Sequence, residues 1–135
     1  MPNQFTPRFS GDADDCFTRG YLAAAEWLAR DEDGDDLTPD ASENAVGWAE
    51  DALAEAIADC KAFQEANNAE IGLYQMAARR SAESAGHDFY LSRNGHGAGF
   101  FDRGDHPVFA ALQDAASQFG GADSVLCEDG FYRFL

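Results

Sequence analysis

Two histidines, a serine, two arginines and a glycine-rich turn crowd into one stretch, His87-Asp88-Phe89-Tyr90-Leu91-Ser92-Arg93-Asn94-Gly95-His96-Gly97-Ala98-Gly99-Phe100-Phe101-Asp102-Arg103. The chemistry such residues could support is nucleophilic or general acid–base catalysis. Hydrolysis would need Ser92 held by a base that a third group orients. Ser92 and His96 straddle the turn, and their spacing does not by itself bring them together. The glycines also lack the strand–turn–helix context of a phosphate-cradling loop. A small enzyme built on His87, Arg93 and His96 is therefore the lesser reading. A structural one explains the same residues more simply: glycine for the turn, aromatics for an inner face, and Arg93 and Arg103 for ion pairs with nearby acids.

Carboxylates form the second set. Asp31, Asp33 and Asp35 alternate like the opening of a calcium loop, but Asp36 and Ser42 stand where that loop needs its turn glycine and its bidentate glutamate. No metal and no cofactor is expected. Asp51, Glu55 and Asp59 repeat every four residues, which places them on one helix face about 6 Å apart along the axis. Like charges so spaced repel by a few tenths of a kcal/mol per pair. Such a row resembles the charge spacing of a nucleic-acid strand; an ordinary solvated face is the alternative. With the loop acids Asp31, Asp33, Asp35 and Asp36, and with Glu43 and Glu50, these residues make the candidate partner-binding surface.

The bulk charge supports that choice. The chain has 25 acids and 9 bases, net −16, and residues 1–65 hold 16 of the acids with 4 bases. Phosphate backbones are repelled by such a surface, so direct nucleic-acid binding is disfavoured and basic proteins are the favoured partners. Acidity that merely keeps a small protein soluble is the competing account. Cys16, Cys60 and Cys127 lie far apart with no paired ligand spacing, which argues against a closed zinc site.

The stretch from Ala85 to Arg103 resembles a motif of uncharacterised small acidic proteins from bacteriophages and mobile elements. These often read His-Asp-Phe-Trp-Leu, then Arg-Asn-Gly-His-Gly, then Gly-Phe-Trp-Asp-Arg; here Tyr90 and Phe101 replace the tryptophans. The resemblance covers about 19 of the 135 residues. It implies a phage setting and carries no activity with it.

The elements that must position these residues are legible in part. Residues 1–11 read as an extended arm. Asp12, Asp14 and Asp15 precede a helix over residues 13–30 with Phe17, Tyr21, Ala24 and Leu28 on one face. Thr38-Pro39-Asp40 starts a second helix, whose stripe Val46, Ala49, Leu53, Ala56, Ile57, Cys60 and Phe63 runs to a break at Asn67-Asn68. A third spans 69–84 and stops at Ala85-Gly86. Alternation at Phe89 and Leu91 around Asn94–Gly97 predicts a β-hairpin over 87–101. Asp105 or His106 with Pro107 opens a fourth helix, Val108 to Phe119, which Gly120-Gly121 closes. Ser124–Cys127, the turn Glu128-Asp129-Gly130 and Phe131–Phe134 form a second hairpin. The expected fold is α+β in one domain over residues 1–135: a mainly helical acidic half (1–84), then a ββαββ half (85–135) whose antiparallel sheet is built of two hairpins.

With no apolar run long enough to span a bilayer and neither a basic n-region nor an apolar h-region at Met1–Phe5, the expected address is the cytoplasm, that of the host cell in a phage setting. The leading functional expectation is a phage-encoded inhibitor of a host nucleic-acid-directed defence system, of anti-CRISPR or anti-restriction type. It would bind a basic surface as a nucleic-acid mimic. A phage adaptor for host transcription or replication machinery is the alternative.

Overall fold

The computed structural model describes residues 15–135. The expected arm and the acids Asp12 and Asp14 lie outside them. Among the described residues the architecture is α+β, with five α-helices and a three-stranded mixed sheet. Helix α1 (Cys16–Leu28) begins where the Asp15 carboxylate accepts hydrogen bonds from the Thr18 N–H and hydroxyl at 3.3 and 3.1 Å. An acceptor at this position satisfies one of the amides that a helix start leaves unpaired.

Thr38 caps α2 (Pro39–Glu43) in the expected way, its hydroxyl accepting from the Ala41 N–H at 3.1 Å. That helix ends after five residues. Strand β1 (Gly47–Trp48) intervenes, and α3 (Glu50–Ala78) then begins afresh. Val46 therefore leaves the expected stripe and is exposed, while Ala49, Leu53, Ala56, Cys60 and Phe63 are buried. The reason is non-local: Gly47 and Trp48 pair in parallel with Phe131 and Tyr132, more than eighty residues on. Asn67-Asn68 does not divide two helices. Asn67 adopts φ −127°, ψ 26° and its side-chain amide donates to the Phe63 carbonyl at 3.0 Å, kinking α3 without ending it.

The hairpin expected over 87–101 is absent. Helix α4 (Ala82–Asn94) runs through it, and a 3-10 turn (Phe100–Arg103) follows. Two features of this segment are common to a hairpin and a buried helix. Gly95 does adopt a left-handed conformation, φ 67°, ψ 39°, but that geometry closes a helix as well as it opens a hairpin turn. The helix is also buried almost all round from Ala85 to Arg93 apart from His87, so no polar stripe marks its period. Gly86, read as a stop, is inside α4 because α1 crosses there. A β-carbon on Gly86 would strike the Phe17 carbonyl oxygen, and one on Gly20 would strike that of Glu83. The two glycines let the backbones touch.

After α5 (Pro107–Ser117), capped by His106, the chain forms β2 (Ser124–Leu126) and β3 (Phe131–Phe134). These pair antiparallel with Ser124 opposite Phe134, and the sheet order is β1-β3-β2. Helices and sheet close over an aromatic core. Phe63 stacks on Phe89 at 4.2 Å between ring centres, Phe17 and Phe100 flank Phe63, and Tyr21 sits edge-on to Tyr90. Truncating a ring such as Phe89, fully buried here, removes about 3–5 kcal/mol of stability.

Candidate functional site

The motif residues are drawn together by the end of α4, the loop after Gly95 and the 3-10 turn. Asp88, fully buried, is clasped by Arg103, whose Nε and Nη2 donate to its two oxygens at 2.8 and 2.6 Å. The Tyr74 hydroxyl of α3 donates to the same carboxylate at 2.6 Å. Burial, with Asp88 beside it, holds the Tyr74 phenol well above its ordinary pKa, so it stays protonated as a donor. The two ends of the motif are thus locked by a buried carboxylate whose charge is paired and hydrogen-bonded, which offsets the cost of taking it out of water.

Arg93 is spent in the same way. Its guanidinium donates to Asp59 Oδ2 at 2.8 Å, to the Tyr21 hydroxyl at 3.1 Å, and to the Gly120 and Phe119 carbonyls at 2.9 and 3.3 Å. It also lies over the Phe89 and Phe119 rings at 5.6 and 5.7 Å. These bonds tie α1, α3, α4 and the turn that follows α5 to one side chain.

Ser92 and His96 do not meet. The buried Ser92 hydroxyl accepts from the Phe100 N–H at 3.0 Å. His96 stacks on Tyr90 and places Nε2 3.0 Å from Asp123 Oδ1. His87 is half-buried, in a cleft shared with Arg80 and Arg103. Burial lowers its pKa below the ordinary 6.5; Asp88 opposes that shift and the two arginines reinforce it. Among the described residues Asp88, Ser92, Arg93, His96 and Arg103 form pairs that hold the fold, and no nucleophile of the motif is seated on an oriented base.

The acidic residues separate into two groups and one exception. Asp31, Asp33, Asp35 and Asp36 form the loop after α1. Asp31 turns inward: its Oδ1 accepts from the Asp33 and Asp35 N–H groups, both at 2.9 Å. Asp33, Asp35 and Asp36 are exposed, Asp36 with Arg30 at 3.1 Å. Glu43, also exposed, ends the neighbouring α2. Glu50, Asp51 and Glu55 form the second group, exposed at the start of α3, which follows β1 at the opposite edge of the sheet from β2.

Asp59 is the exception. It is the counter-ion of Arg93, with 28% of its side chain exposed, so the expected row loses its last member. The spacing that put it in line with Asp51 and Glu55 could not reveal a partner 34 residues away.

Three further acids, Glu32, Glu128 and Asp129, belong with the loop. The turn between β2 and β3 lies against it, with the Glu128 N–H donating to Glu32 Oε1 at 2.7 Å. Asp31, Glu32, Asp33, Glu128 and Asp129 line one cleft of about 380 Å³ together with α2. Glu32 was visible in the acidic run; nothing in linear order linked Glu128 and Asp129 to it. No group of His, Cys, Asp and Glu among the described residues is arranged to hold a metal ion. Nor is any described helix long and apolar enough to cross a membrane. Compared with family models, curated proteins and solved structures, the chain matches none of them.

Proposed function

We propose that this protein acts by binding rather than by catalysis, presenting the carboxylates of the 31–36 loop, α2 and the β2–β3 turn to a basic partner. In the phage setting implied by the motif, that partner is a nucleic-acid-binding component of a host defence system, which the protein inhibits by occupying its nucleic-acid groove. The convergence of Glu32, Asp33, Glu128 and Asp129 on one cleft, from segments almost a hundred residues apart, is the observation that carries the reading. Arg133 pairs with Asp129 at 3.0 and 3.1 Å, but one cation against the carboxylates of Glu32, Asp33 and Glu128 leaves the cleft net negative, which favours a cationic partner. The motif supports the same reading, because its Ser92, Arg93, His96 and Arg103 are engaged in internal pairs.

The test is retention of a purified basic host nuclease or DNA-binding subunit, with duplex DNA as competitor, at two ionic strengths. Binding is expected to weaken steeply with salt and DNA to displace the protein. Neutralising Asp33, Asp35, Glu43 and Glu128 to their amides should slow association and flatten the salt dependence. The same change at Asp102, Asp105 and Asp114 should do neither. Salt-indifferent binding, or equal losses from both sets, refutes the proposal.

A further inference from the structure

Trp27, in the last turn of α1, is 80% exposed, whereas the second tryptophan, Trp48, is buried against the sheet. Isolated surface aromatics are common, but Trp27 is not isolated. It forms a wall of a groove of about 590 Å³ that also takes in Leu28, Leu37, Arg30 and Asp36. The groove opens beside the acidic loop, where Asp33, Asp35 and Asp36 are exposed. An exposed indole that shares a groove with an exposed carboxylate is a surface suited to one kind of group. Tryptophan is the strongest aromatic partner for a cation, and a guanidinium can lie flat on its ring while its N–H fork reaches a carboxylate.

We propose that this groove seats an arginine side chain of the basic partner, its guanidinium stacked on Trp27 and its N–H groups directed to Asp36. The inference rests on the acidic-surface reading above and adds the residue that anchors the contact. Charge complementarity selects this occupant over an apolar one. The protein's own Arg30 shows that the acidic wall takes a guanidinium: its Nη1 donates to Asp36 Oδ1 at 3.1 Å and to the Gly34 carbonyl at 3.3 Å. The Asp36 side chain is still 91% exposed, which leaves it open to a second donor. Exposed aromatic and arginine anchors of this type dominate interfaces when water is excluded around them.

The experiment uses the full chain and two dye-labelled peptides, one of alternating glycine and arginine and one of alternating glycine and lysine, followed by fluorescence anisotropy at low and moderate salt. The arginine peptide should bind roughly fivefold more tightly than the lysine peptide. Trp27→Ala should weaken the arginine peptide by about three- to tenfold, Trp27→Phe by less, and neither should change the steepness of the salt dependence, because no charge is removed. Asp36→Asn should weaken both peptides. If both peptides bind equally, with salt dependence intact and Trp27→Ala without effect, the groove proposal is overturned while the basic-partner reading stands. If neither peptide binds in a salt-dependent way, both fall. Sedimentation showing a dimer that Trp27→Ala dissolves would assign the groove to a second copy and overturn the proposal. So would tighter peptide binding in the full-chain double variant Phe5→Ser/Phe9→Ser, which would assign the groove to the chain's own N-terminal residues.

Discussion

Replacing Asp59 with Asn takes the counter-charge from a guanidinium whose side chain is only 4% exposed. Breaking a fully buried ion pair from one side costs about 3–5 kcal/mol, because the remaining charge is left uncompensated. Two features reduce that here. Asp59 keeps 28% of its side chain in contact with solvent, and Arg93 retains the Tyr21 hydroxyl, two carbonyls and two ring faces. A loss of about 2 kcal/mol is therefore expected for Asp59→Asn. For a domain of this size that is a fall in Tm of roughly 8 °C. Glu55→Gln, one turn earlier and exposed, should stay within about 0.5 kcal/mol of wild type. Thermal and urea unfolding of the two variants measure both quantities. A cycle with Arg93→Met isolates the pair: the double variant should be less destabilised than the sum of the singles. An acidic row made only of solvated charges predicts the opposite, a slight stabilisation as repulsion is relieved. A Tm for Asp59→Asn equal to or above wild type would refute the assignment of Asp59 to Arg93.

Gly86→Ala should destabilise by about 3 kcal/mol in urea unfolding despite alanine's better helix propensity, because the new β-carbon meets the Phe17 carbonyl at the α1–α4 crossing; an unchanged midpoint would exclude that crossing. Asp88→Asn should cost about 3–5 kcal/mol and speed amide exchange over residues 95–103, since Arg103 loses its bidentate partner. Exchange confined to its wild-type rates would show that the clasp does not hold the loop. His87 has a folded pKa below its ordinary 6.5, so the unfolded chain binds more protons as pH falls through that value, and the stability from keeping His87 neutral, present above about 6.5, is lost toward the folded pKa. His87→Gln should flatten the decline of Tm below that pH, and parallel wild-type and variant profiles would contradict the shift.

Wherever neighbours in sequence are also neighbours in space, the residues alone determined the outcome. Asp15 before Phe17 and Tyr21, and Thr38-Pro39 and His106-Pro107 at helix starts, are capping signals that operate within a single turn, and each caps a helix. The Glu128–Gly130 turn between two short apolar runs is equally local, and β2 and β3 pair across it. The −16 charge and its concentration in the first half are properties of composition alone. Tertiary structure decided the remainder. Gly95 in a left-handed conformation is compatible with a hairpin and with a helix end. The choice fell to the helix because α4 buries Phe89, Tyr90 and Arg93 against elements that no local pattern names. β1 interrupts a helical stripe because its hydrogen-bonding partner, β3, arrives from the far end of the chain. Long-range pairing of this kind also divides the carboxylates, withdrawing Asp59 to neutralise Arg93 and bringing Glu128 and Asp129 to the acidic loop. Charge is written residue by residue, but its exposure depends on which segments come together when the apolar surface is buried.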